Sequence, residues 1–80
     1  MGNIYTNFES FIKNLMANIE NRPSELRKGQ WIFNTVYEEY PEIANHFRNS
    51  EHDCFYNDAK INDFIISCMV FANDYLEDHE

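Results

Sequence analysis

Apolar residues recur along this chain at helical spacing, and prolines interrupt the recurrence twice. Phe8, Phe11, Ile12, Leu15 and Ile19 stand at i, i+3, i+4, i+7 and i+11, with Lys13, Asn14, Asn18 and Glu20 opposite them. Just ahead, Thr6 and Glu9 have the spacing of a capping box, in which the hydroxyl and the carboxylate each take up an otherwise unpaired backbone amide. A first helix is therefore predicted to start at Thr6. Pro23 forces Arg22 into extended geometry and places the next turn at about residues 21 to 24. A second helix is expected from Glu25 to Tyr40, with Leu26, Gly29, Phe33, Val36, Tyr37 and Tyr40 on one side. Gly29 in mid-stripe costs about 1 kcal/mol of helix propensity relative to Ala, which points to close approach of another helix.

Pro41 ends that helix and is suited to open a short third one carrying Ile43, Ala44 and Phe47. Residues 49–56 read as a loop. Asn57 is a good cap for a fourth helix with Asp58 in its first turn, and the stripe that follows is Ile61, Phe64, Ile65, Cys68, Ala72, Tyr75 and Leu76. These elements predict an all-α fold, a compact antiparallel bundle of three long helices plus one short helix, forming a single helical domain over residues 1–80. Its expected core is Phe11, Leu15, Ile19, Phe33, Val36, Tyr37, Ile61, Ile65, Cys68 and Ala72.

Composition narrows the function classes. Hydrophobic residues make up 44% and aromatics 16%, too much for a disordered acidic tail. Fourteen acidic against six basic residues give a formal net charge of -8, which disfavours direct binding to nucleic acid or anionic membranes. The same charge favours a basic protein partner, including proteins whose ordinary ligand is nucleic acid; plain solubility is the simpler explanation. No apolar run approaches the roughly 20 residues of a membrane span, and the start MGNIYTNFES lacks a signal-peptide pattern. Met1, Gly2 and Thr6 fit a myristoylation pattern, but no polybasic stretch supplies the second anchor. Two cysteines, Cys54 and Cys68, read as free thiols, so a cytoplasmic location is expected.

Little of the sequence suggests catalysis. His46, His52, Asp53 and Cys54 cluster in the predicted loop, yet their spacing fits no zinc module, and a Cys54–His52 pair has no third orienting group. Two glycines leave no phosphate-cradling loop. The expectation is a non-enzymatic chain with no cofactor and no metal.

Four features are candidates for partner binding. Trp31 projects about 180° from the second helix's stripe, either as an exposed anchor or beneath a loop containing Phe55 and Tyr56. Those two loop aromatics are candidate anchors themselves. Ile66 and Val70 form an i, i+4 pair opposite the main stripe of the fourth helix; either helix 3 and the 50s loop cover them, or they form a self-association or partner face, with a homodimer as one outcome. Asp63, Asp74, Glu77, Asp78 and Glu80 lie along the same helix, several at its C-terminus, where the helix dipole disfavours negative charge. They are either a solvated tail or a surface for Lys and Arg of a partner.

Arg27, Gly29, Gln30, Phe33 and Asn34, then Pro41, and later Asp53, Phe55, Tyr56 and Asp58 resemble a set of small acidic proteins of bacteriophages and prophages. That set is similar in an R-x-G-Q-x-x-F-N helix, a following Pro and a D-P-F-Y-x-D loop. The resemblance covers residues 27 to 64, with Cys54 in place of the Pro. It implies origin and fold and carries no enzymatic activity or cofactor. Read physically, Gln30 and Asn34 are an amide pair placed to hydrogen-bond the 50s loop and hold it as a rigid surface. The function expected from all of this is a phage-type protein that binds and inhibits a basic host protein, such as a nucleic-acid-handling or CRISPR-type defence complex. The alternative is a homo-oligomeric structural or assembly protein.

Overall fold

In a computed structural model that describes residues 4–78, and side chains over residues 7–74, the chain forms α1 (Ile4–Ala17), α2 (Lys28–Glu39), α3 (Pro41–Phe47) and α4 (Ile61–Asp78). Short 3-10 turns, Ile19–Asn21 and Asp58–Lys60, lead out of α1 and into α4. The fold is all-α, with no strand among the described residues. Its extents are 37 × 25 × 18 Å.

Two helix starts differ from expectation. α1 begins at Ile4, so Thr6 falls within the helix and not at its cap; nothing between Gly2 and Thr6 breaks a helix, and propagation costs little once a turn exists. The side chain of Thr6 lies outside the described residues. α2 begins at Lys28, three residues after Glu25, because Arg22 fixes the preceding segment as a turn. Its Nε donates to the Leu26 carbonyl and its Nη1 to the Ile19 carbonyl, both at 2.9 Å, while Leu26 N–H reaches the Pro23 carbonyl at 3.1 Å. The Oε1 of Gln30 then accepts the Arg27 backbone N–H at 3.0 Å, satisfying a donor at the helix start.

The core contains Phe8, Ile12 and Leu15 of α1, Ile32, Phe33 and Val36 of α2, Ile43, Ala44 and Phe47 of α3, Cys54, and Phe64, Cys68 and Ala72 of α4. The expected Phe11, Ile19, Ile61 and Ile65 pack on this core but are only partly buried. Tyr37 is a correction. It is 38% exposed, while Ile32, absent from the expected set, is fully buried. The buried line of α2 is Gly29, Ile32, Phe33 and Val36, rotated away from Tyr37, whose ring stacks on Phe33 with the Arg48 guanidinium 5.1 Å from its centroid. Tyr40 ties α1 to the α2–α3 corner through edge contacts to Phe8 and Phe11, at 4.9 and 5.2 Å between centroids. Burial, with Glu39 adding to it, raises the pKa of its phenol.

Asn57 does cap the entry to α4. Its Oδ1 accepts the Ala59 N–H at 2.9 Å, and the first turn it opens is 3-10 before the chain relaxes into α4 at Ile61.

Candidate interaction surface

The residues that carry the R-x-G-Q and D-x-F-Y-x-D patterns meet at the N-terminus of α2, where they hold the 50s loop. Arg27 donates from Nη2 to the Phe55 carbonyl at 2.9 Å and from Nη1 to Asp58 Oδ1 at 3.1 Å. The same Asp58 oxygen accepts the Gly29 N–H at 3.0 Å, and the Cys54 thiol donates to the Gly29 carbonyl at 3.4 Å. A Cβ on Gly29 would fall on the Cys54 carbonyl oxygen and 2.9 Å from Asp58 Oδ1. Gly29 therefore admits a loop backbone, where another helix had been expected. Inside the loop, Asp53 accepts N–H groups from Asn49 and Phe55, both at 2.8 Å, and Asn49 adopts a positive φ of 62°. The expected clamp of Gln30 and Asn34 is thus replaced by one of Arg27, Gly29 and Asp58, because the Gln30 oxygen is taken up by its own helix start. Phe55 packs edge-on against Phe33 at 5.8 Å, leaving Tyr56 75% exposed.

The polar loop cluster is also engaged internally. His52 Nδ1 and Asp63 Oδ1 are 2.8 Å apart, and the Ser67 hydroxyl donates to that same oxygen at 3.2 Å. Ser67 and His52 both bond the carboxylate and not each other, so the order of a nucleophile–base–acid relay is absent from this trio. The His52 hydrogen bond, ahead of that from Ser67, lowers the pKa of Asp63. Both thiols are fully buried; burial first, then the Asp53 charge, pushes Cys54 up to about 12, and burial likewise raises Cys68. Among the described residues no three His, Cys, Asp or Glu side chains converge as a metal site.

No family model, curated protein or solved structure matches this chain.

The candidate partner-binding residues do not converge on one surface. Trp31 is half-buried, packed on the core in a groove with Phe11, Asn14, Leu15, Asn18 and Thr35. α1, and not the Phe55–Tyr56 loop, is what lies beside it, since Phe55 is drawn to Phe33. Phe55 and Tyr56 border a separate cleft with Phe33, Asn34, Arg48, Asn49 and Asp53. Asp63 is tied to His52. Glu77 and Asp78 fall in the last turn of α4, with side chains outside the described residues, and Glu80 lies beyond.

Ile66, Val70 and Asp74 do come together. They line one open groove between α3 and α4 with His46, Phe47, Ser67 and Phe71. Ile66 is 63% exposed and Val70 59%, so α3 and the 50s loop do not cover them. His46 forms one wall, its ring stacked on Phe71 with centroids 4.1 Å apart. The wall was not foreseen from sequence, although His46 lies on the solvent side of α3 three and two residues after Ile43 and Ala44, both buried.

Proposed function

We propose that this chain is a phage-type protein that acts in the host cytoplasm by binding and blocking a basic host protein, for which a nucleic-acid-handling or CRISPR-type defence complex is a fitting target. The observation that supports this reading best is the outer face of α4, where exposed Ile66 and Val70 run into Asp74 on a chain of net charge -8. Carboxylates speed encounter with a basic surface but are weak anchors when exposed; desolvated apolar side chains supply the anchor. The rigid Tyr56 loop is available as a further contact. The side chains with reactive or titratable groups singled out in the sequence are engaged by the fold: the thiols of Cys54 and Cys68 are buried, and His52 and Asp63 are bound to each other.

The test is affinity capture from host lysate with the wild-type chain and a variant combining Asp74→Asn, Glu77→Gln and Asp78→Asn. Retention of a basic host protein by wild type, its release at moderate salt and its loss in the variant are expected, because exposed charge contacts are screened over about 8 to 10 Å. The exposed Ile66–Val70 pair also favours a second reading, a homo-oligomeric assembly protein. Recovery of only further copies of the chain, or of virion proteins, would replace the first reading with that one.

A further inference from the structure

Resting on the partner-binding reading above, we infer that the α3–α4 groove is the docking site for one amphipathic basic helix of the partner, its apolar side chains covering Ile66 and Val70 and its Lys or Arg lying over Asp74. The groove has the parts such a segment needs. Ile66 and Val70 are one turn apart on α4, and neighbours at that spacing are about 6 Å from each other; a helix presenting i, i+3 or i, i+4 anchors matches the same period. The floor is fixed by the edge contact of Phe47 and Phe71 at 5.8 Å, and the wall by His46 stacked on Phe71. α3 is only seven residues long, so the groove stays open on its outer side.

Charge selects the occupant. Among the described residues no Lys or Arg lines the groove, and the carboxylate among them is Asp74. α4 runs on to Asp78, so its C-terminal partial negative charge adds to Asp74 and favours a cation at that end. A second copy fits less well. It would bring another net charge of -8 against the first, and two part-exposed aliphatic side chains fall far short of the roughly 800 Å² per partner of a standard stable interface. A single helix seated in a groove needs less area and supplies the missing positive charge.

The test titrates the isotope-labelled full chain with a synthetic amphipathic helix of Leu and Lys, and with a counterpart carrying Glu in place of Lys. The Leu/Lys helix should shift amides of His46 and residues 66–74, whereas the Leu/Glu helix should not bind. Ile66→Asp should weaken binding at least about tenfold and Asp74→Asn about threefold, the latter with a shallower salt dependence; Ser24→Ala, at an exposed turn residue that does not line the groove, should leave affinity unchanged. If Ile66→Asp fails to fold, the Ile66→Ala, Val70→Ala double variant takes its place. Undiminished binding to the Ile66 variant, or shifts spread over the whole acidic surface, would overturn the inference. So would a wild-type dimer in sedimentation that Ile66→Asp dissociates, because a second copy would then hold the groove. The lysate capture separates the two readings: a host protein held equally by wild type and Ile66→Asp would sink the groove and keep the function, whereas helix binding without host capture would do the reverse.

Discussion

Around the start of α2, Arg27, Gly29, Cys54 and Asp58 spend their hydrogen bonds on one another, while along the outer line of α4 Ile66 and Val70 are exposed. The first region holds Arg27, Gly29, Gln30, Phe55 and Asp58 of the R-x-G-Q and D-x-F-Y-x-D segments; the second holds none of them. Residues that answer each other across the fold, a glycine against a carbonyl or an arginine against a loop oxygen, must occur as a set. Such a set reports how the loop is held. The exposed aliphatic pair is not accounted for by burial, which is why the proposed docking site is placed there.

The largest expected difference between the two regions is chemical access. With the Cys54 thiol pushed up to about 12 by burial, only about one such thiol in ten thousand is ionised at pH 8, and the thiolate is the reactive form. Cys54 and Cys68, both buried, should label with a thiol reagent only when the chain opens, at a rate that rises with denaturant. A Val70→Cys variant should label at once in the native state. Fast native labelling of the two natural cysteines would show that the α2 junction is not closed.

Next in size is Gly29→Ala. Alanine gains about 1 kcal/mol of helix propensity, but its Cβ meets the Cys54 carbonyl and an Asp58 oxygen, and overpacking of this kind costs about 1 to 3 kcal/mol before the disturbed hydrogen bonds are counted. A net loss of about 2 kcal/mol is expected, lowering Tm by about 10 °C in a domain of this length. A variant as stable as wild type would mean that the loop does not sit against α2.

Much of this architecture was legible in one dimension because local signals and packing agreed. Pro23 and Pro41 bracket the second helix, Asn57 caps the fourth segment, and Leu15, Phe33, Val36, Cys68 and Ala72 are buried as their spacing predicts. The failures have a common cause, which is long-range contact. Arg22 held residues 22–27 out of the helix through two carbonyls that no periodicity reveals. Ile32 is buried where Tyr37 was expected, and Trp31 lies beside α1 while the loop aromatic Phe55 packs on Phe33. On the candidate surface, the apolar pair was visible as an anomaly in the α4 pattern, while the His46 wall depends on how α3 meets α4 and had no signature.

A smaller effect tests the link between the 50s loop and α4. Asp63 has a lowered pKa chiefly through its bond to His52, so its ionised form favours the folded chain. That contribution is present above the unfolded carboxylate value of about 3.9 and is lost as pH falls through the lower folded value. In His52→Ala the Asp63 pKa should rise toward the unfolded value, and acid unfolding should begin at higher pH than in wild type. Carbon-13 carboxyl titration reads the first and a pH melt the second; an unchanged Asp63 titration would show that Ser67 alone holds the carboxylate.

The smallest stability change should come from the outer face of α4, and its smallness is the informative part. Ile65 and Ile66 are adjacent and chemically identical, yet Ile65 packs on the core and Ile66 is 63% exposed. Ile65→Asp places a carboxylate against apolar neighbours and should cost about 2 kcal/mol or more. Ile66→Asp removes no internal contact of consequence, so its melt should stay within about 0.5 kcal/mol of wild type. Equal losses for the two variants would mean that Ile66 is covered within the monomer and that α4 has no free face. A silent Ile66 beside a costly Ile65 would leave an aliphatic side chain that the fold does not need, and any loss of binding in that variant could then be assigned to the surface and not to unfolding.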